Sequence, residues 1–74
     1  MRHQVQYSDS SWGENLAEFL RGLRFDVAFL HEQTLDVRFR EPMPANEEAA
    51  RLELDLYLRV WQAINPEAHA RRFE

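Results

Sequence analysis

The sequence predicts a small α+β domain, a two-layer sandwich with the element order β-α-β-β-α. Three observations predict it. Three short segments alternate apolar and polar residues, two longer segments repeat apolar residues with a helical period, and 74 residues suit one domain. We predict a single domain over residues 1–74, with residues 66–74 as a loosely ordered C-terminal tail.

The first strand and the first helix are predicted from the N-terminal third of the chain. Polar and apolar residues alternate there, so that Val5 and Tyr7 face the core. Ser11, followed three residues later by Glu14, matches a capping box and predicts a helix N-terminus. Gly22 is predicted to end this helix in a left-handed conformation. The apolar stripe of the helix consists of Trp12, Leu16, Phe19, Leu20 and Leu23.

Two further strands are predicted as a hairpin. Arg24 to Glu32 and Thr34 to Arg40 alternate in apolar character and are separated by a very short turn at Gln33. The turn contains no glycine, so the register of the hairpin stays open. The outer sheet face is predicted to be polar with a small apolar centre, formed by Gln4, Gln6, Arg24, Asp26, Ala28, Leu30, Asp36, Arg38 and Arg40.

A second helix is predicted over Glu47 to Asn65. Leu52 to Val60 alternates like a strand when read alone, but its flanks favour a helix. Asn46 is a suitable N-cap and Pro66 a suitable stop, and a run of this length exceeds an ordinary strand. The apolar positions cover roughly two-thirds of the helix circumference, whereas covering a sheet needs an arc of little more than 100°.

This excess of apolar surface predicts association. We assign one group of residues to the sheet: Ala49, Leu52, Leu56, Val60, Ala63 and Ile64. The adjoining flank, Leu54, Leu58 and Trp61, is predicted to meet the first helix, a second protomer or a partner protein, and we favour an association surface because aromatic anchors are enriched in interfaces. Glu53 and Val5 are further candidates for this surface.

The element order predicts a right-handed crossover whose gap is filled by the third strand. The expected sheet order is 1-3-2, with both helices on one face. This arrangement resembles a ferredoxin-like split βαβ fold that lacks its last strand. The strand that carries Val5 would then be an open edge, and such edges pair with other chains.

Glu53 interrupts the apolar arc of the second helix. A buried carboxylate has to be paired or protonated, so we expect Glu53 to reach water or to pair with an arginine. Two alternatives stay open: a functional carboxylate, and a residue that fixes pairing at an interface.

The loop Ser8 to Gly13 runs into a helix N-terminus, where free amides and the helix dipole attract anions. Simple capping explains the same residues. A weak candidate site for an anion or small metabolite therefore consists of Ser10, Ser11, Trp12 and Gly13.

Composition excludes several classes of function. The chain has no cysteine, which rules out disulfides and thiolate metal sites, and its net charge of −4 with no basic block disfavours nucleic acid. No apolar run approaches the ~20 residues needed to span a bilayer, and no signal peptide is evident, so we expect a soluble, cytoplasmic protein. No catalytic or metal-binding spacing is present, and no cofactor is predicted.

We therefore expect a small non-enzymatic interaction protein, a homodimer or an accessory subunit. A second hypothesis is a regulatory module that binds a metabolite or anion at a dimer interface near Ser8 to Gly13. A third is a small enzyme that uses Glu53 or one of His3, His31 and His69 in a dimer cleft. The sequence identifies neither the biological process nor the partner or ligand.

Overall fold

The computed structural model describes residues 2–73, which contain four strands and two α-helices. Every pair of neighbouring strands is antiparallel, and the sheet order is β2-β3-β1-β4. The elements in chain order are β1 (Arg2–Tyr7), a short 3-10 turn (Ser10–Trp12), α1 (Gly13–Arg21), β2 (Phe25–His31), β3 (Thr34–Phe39), α2 (Glu47–Ile64) and β4 (Ala70–Phe73).

The predicted helices and the first three strands are confirmed in type and approximate position. β3 lies between β1 and β2, as predicted, and the hairpin contains an irregularity between Phe29 and His31. Asn46 caps α2, because its side-chain oxygen accepts a hydrogen bond from the Ala49 amide at 2.8 Å. The stretch from Leu52 to Trp61 is therefore helical despite its alternation, since its flanks supply the cap and the stop.

The C-terminal segment corrects the sequence prediction. Residues 70–73 form β4, which pairs with β1. The predictions that the fold lacks its last strand and that the tail is loosely ordered are therefore wrong for these residues. Val5 consequently lies on an internal strand and not on an open edge. Arg72 occupies an inward position of β4 and is held there by Asp55 of α2, a contact between distant residues. Glu74, part of the predicted tail, lies outside the described residues.

The start of α1 also differs from the prediction. Asp9, not Ser11, is the capping residue, and its carboxylate accepts a hydrogen bond from the Ser11 amide at 3.0 Å. The hydrogen bonds from Ser11 lower the pKa of Asp9, because they favour the charged carboxylate. α1 then starts at Gly13 without a side-chain cap, so the predicted capping box is wrong. Gly22 has φ −71°, which excludes the left-handed conformation predicted for it.

One core lies between the sheet and both helices. The alternating inward residues of the strands and the buried residues of α1 and α2 form a single cluster, so both helices cover the same face. Trp61 is anchored in it, because its indole N–H donates to Asn15 at 2.9 Å and its ring packs edge-on against Trp12. The largest fully buried side chains are those of Trp61, Phe25, Leu16, Leu20, Leu35, Leu54, Val5 and Val37.

The outer sheet face carries a buried carboxylate. Asp36 is buried although it points away from the core, because Arg2 and Arg38 cover it with ion pairs of 2.9 and 3.6 Å. Arg24 was predicted on this face, but its guanidinium lies over the Phe39 ring and reaches Glu53 on the helical side. Arg24 precedes β2, so the alternation of that strand does not decide where its side chain points.

Candidate functional site

The helix α2 buries a different face from the one predicted from the sequence. Leu54, Leu58 and Trp61 were predicted to form the association surface, but their exposed fractions are only 0%, 4% and 1%. All three pack in the core between α2 and the sheet. The prediction that they meet a partner is therefore wrong for this conformation of the chain, and Val5 is equally inaccessible.

The apolar residues that were assigned to the core lie on the surface instead. Leu52, Leu56, Val60 and Ile64 have exposed fractions of 64%, 56%, 43% and 64%. Their spacing of four residues places them in one row along the outer side of α2. We call these four residues the α2 stripe. It is a row of large, exposed aliphatic side chains along one helix.

Polar contacts on both flanks of α2 explain this rotation. On one flank, both carboxylate oxygens of Asp55 accept hydrogen bonds from Arg72, at 3.1 and 3.2 Å. On the same flank, the side-chain oxygen of Gln62 accepts a hydrogen bond from the Ala70 amide at 3.0 Å. These contacts attach α2 to β4. They fix the rotation of the helix so that the adjacent face, which carries Leu58, is buried.

Glu53 lies on the opposite flank and is paired within the chain. Its carboxylate accepts from Arg24 Nη1 at 3.2 Å, and both side chains are about one-quarter exposed. The expectation that an arginine neutralises Glu53 is confirmed. An interface role for Glu53 stays a prediction, although this intrachain ion pair already satisfies the charge.

The candidate anion loop has few free donors. The Ser11 amide donates to the Asp9 carboxylate, the Trp12 amide to the Asp9 carbonyl at 3.0 Å, and the Gly13 amide to the Ser10 carbonyl. These intrachain bonds occupy the amides on which the prediction of anion binding depends. Gly13 does permit a close approach, but the approaching groups are Tyr7 and Phe29.

Two adjoining grooves lie where α2 meets β4. The first, with a volume of about 420 Å³, is lined by residues that include Asp55, Leu58, Arg59, Gln62, Arg71 and Arg72. The second, about 460 Å³, continues along β1 and is lined by residues that include Tyr7, Gln33, Gln62, His69 and Arg71. Sequence reasoning missed both, because their residues lie far apart in the chain. Neither groove is lined by Ser10, Ser11, Trp12 or Gly13.

His3 lies on the helical face of β1 with a partly buried ring. The ring packs edge-on against Phe39, and its Nε2 is buried with no hydrogen-bond partner among the described residues. Burial lowers the pKa of His3, because it disfavours the charged imidazolium. Arg72 and Arg51 act in the same direction, and Glu47 opposes them.

We expect stability to fall as the pH decreases below 6.5, the ordinary pKa of histidine. The unfolded chain takes up a proton on His3 near that pH, whereas the folded chain takes it up only at its lowered pKa, so acid favours unfolding between the two values. Urea unfolding from about pH 7.5 down to about pH 5.5 tests this while the carboxylates stay ionised. His3→Phe should flatten the pH dependence in this window.

The exposed His31 provides the control for this experiment. His31→Gln should keep the pH dependence of the wild type, because it replaces an exposed histidine and leaves the partly buried His3 ring in place. An unchanged slope in His3→Phe would show that another group causes the loss of stability.

Comparison with protein families, with curated proteins and with solved structures found no match for this chain. Within residues 2–73, no group of three or more His, Asp or Glu side chains is arranged to hold a metal ion. Neither of the two described helices is long and apolar enough to cross a membrane. The function is therefore inferred from the surface of the chain itself: the α2 stripe and the two grooves.

Proposed function

We propose that this chain is a small, non-enzymatic interaction protein that forms a homodimer through the α2 stripe. The observation that carries the proposal is the exposure of Leu52, Leu56, Val60 and Ile64 in one row. The total accessible surface, 4709 Å², is close to the ~4,800 Å² expected of a compact monomer of this mass. The stripe is thus an exposed patch on a well-packed domain, and the largest apolar patch of a domain is often functional.

The area of the stripe suits self-association. Four aliphatic side chains that are about half exposed present roughly 350 Å² of apolar surface. Two copies together would bury roughly 700 Å², which is the apolar share of an interface of about 1,200 Å² in total. An association cost of ~4–15 kcal/mol prevents a direct conversion of buried area into affinity. Interfaces at the lower end of the standard size range are typical of weak complexes, so we expect a dissociation constant in the micromolar range.

The geometry of the stripe also suits a second copy. A two-fold axis makes each copy present the same patch, so an apolar row always meets an apolar row of equal length. Rows with a spacing of four residues interdigitate when two helices cross at about −50°. An axis that passes between Leu56 and Val60 would place Leu52 of one copy opposite Ile64 of the other.

The fold that carries the stripe is best described as ferredoxin-like. Two positions in the sheet support this description: β3 lies between β1 and β2, and β4 lies beside β1. The fold by itself implies no activity, since unrelated functions share it. The proposal therefore depends on the surface of α2.

Sedimentation velocity over roughly 1–500 μM protein tests the proposal. The wild type should change from monomer to dimer within this range. Leu56→Gln should raise the dissociation constant at least about tenfold, because both copies lose an apolar contact and bury an amide. Its unfolding midpoint at low protein concentration should stay near that of the wild type, since Leu56 is exposed in the monomer.

Met43 provides a matched control, because it is an exposed apolar residue outside α2. Met43→Gln should dimerise like the wild type. A wild type that stays monomeric over the whole range would overturn the proposal. Equal association of the Leu56→Gln and Met43→Gln variants would also overturn it, because the contact would then lie elsewhere.

A further inference from the structure

The first groove between α2 and β4, which we call the α2–β4 groove, concentrates positive charge on an acidic chain. Arg59 from α2 and Arg71 and Arg72 from β4 line it, together with a single carboxylate, Asp55. Arg72 and Asp55 neutralise each other through paired hydrogen bonds of 3.1 and 3.2 Å. Two positive charges then border the groove, Arg59 from α2 and Arg71 from a β4 position that pairs with Gln6 of the outer sheet face, although the whole chain carries a net charge of −4.

The remaining polar side chains of the groove offer hydrogen-bond donors. Within residues 2–73, the guanidinium groups of Arg59 and Arg71 have no ion pair or side-chain hydrogen bond, and both residues are exposed. The side-chain oxygen of Gln62 accepts from the Ala70 amide, so its NH₂ group is left to donate. Leu58 contributes the apolar part of the lining. This combination of two guanidinium groups and an amide selects for an anion.

We propose that the α2–β4 groove binds the phosphate group of a small metabolite. A phosphate monoester carries a charge of about −1.5 to −2 at neutral pH, which matches the two unneutralised arginines. Guanidinium groups bind phosphate oxygens through paired N–H donors. A volume of about 420 Å³ accommodates a small molecule. The phosphate site contains no residue of the Ser8 to Gly13 loop, although Ser8 lines the adjoining groove, and the site does not require self-association.

The adjoining groove provides space for the organic part of the ligand. It shares Gln62 and Arg71 with the phosphate site and continues past Tyr7, Gln33 and His69 for about 460 Å³. Its lining is rich in amides, hydroxyl groups and an imidazole, which suit a hydroxylated organic group such as a sugar. We therefore expect a sugar phosphate to bind more tightly than inorganic phosphate.

Titration of ¹⁵N-labelled protein followed by NMR tests the site, with inorganic phosphate and glucose 6-phosphate as probes and sodium chloride to hold the ionic strength constant. Both probes should saturate in the millimolar range and shift the signals of the Gln62 side chain and the Ala70 and Arg71 amides. Arg59→Gln and Arg71→Gln should each weaken binding about five- to tenfold, because each removes a charge-assisted hydrogen bond. Arg59→Lys should lie between Arg59→Gln and the wild type, since lysine keeps the charge but not the planar fork.

Arg51 provides the matched control, because it lies on the same helix, outside the groove, and pairs loosely with Glu47 at 3.9 Å. Arg51→Gln makes the same change in net charge and should leave both affinities unchanged. Equal affinity for the two probes would restrict the ligand to a phosphate group alone and leave the phosphate site supported. No saturation by either probe, or equal weakening by Arg51→Gln and Arg59→Gln, would overturn the proposal.

Discussion

Leu54→Ala is expected to lower the free energy of unfolding by about 3 kcal/mol, and Leu56→Ala, on the same helix, by less than about 0.5 kcal/mol. Leu54 is fully buried in the core, so its truncation removes apolar burial and leaves a cavity. Leu56 is 56% exposed, so its truncation in the monomer removes little burial. The same chemical change thus reports which face of α2 is packed against the sheet.

Urea unfolding at a protein concentration well below the dimer dissociation constant measures both variants, because association would otherwise add to the apparent stability. The slope of free energy against urea concentration should be unchanged in both variants. A shift of the unfolding midpoint then reports a change in stability alone. A larger loss for Leu56→Ala than for Leu54→Ala would mean that the helix packs in the rotation predicted from the sequence.

Gly13→Ala is expected to lower the free energy of unfolding by about 1–3 kcal/mol. The added Cβ would lie 2.7 Å from the Tyr7 hydroxyl oxygen and 3.1 Å from the Phe29 ring. Tyr7 cannot move aside without loss, because its ring is buried and its hydroxyl donates to the Glu32 carbonyl at 2.8 Å. The higher helix propensity of alanine, worth up to about 1 kcal/mol, offsets only part of this cost.

A double-mutant cycle with Tyr7→Phe tests the cause of this loss. Removing the hydroxyl oxygen removes the closest contact, so Gly13→Ala should cost less in the Tyr7→Phe protein than in the wild type. Gly22→Ala is the matched control, because its Cβ would meet only ordinary contacts at 3.5 and 3.6 Å. It should be neutral or slightly stabilising, since alanine restricts the unfolded chain. An equal cost of Gly13→Ala in both backgrounds would exclude the clash with the Tyr7 hydroxyl oxygen.

The elements that sequence analysis predicted correctly are those whose signals are local. The alternation in β1 to β3 and the cap and stop of α2 are read from neighbouring residues, and the structure contains these elements near the predicted positions. β4 was missed because its residues do not alternate in the apolar pattern of a strand. One of its two inward positions is Arg72, whose charge is matched by Asp55 on another element.

The candidate sites were harder to predict, because each combines residues from distant parts of the chain. Arg59 and Arg71 belong to α2 and β4, and they line one groove only because β4 pairs with β1. The loop site at Ser10 to Gly13 stays a prediction. Its local signal was real, but Asp9 already accepts hydrogen bonds from the amides that an anion would need.

The amino-acid sequence alone identifies α2 as a helix with more apolar surface than one sheet can cover. It could not determine which face is buried, because the row with Leu54 and the row with Leu56 are similarly apolar and both follow the helical period. Contacts with distant parts of the chain select the buried row. Asn15 binds the Trp61 indole, and β4 holds Asp55 and Gln62, so a single rotation of the helix satisfies these polar groups and leaves the α2 stripe exposed.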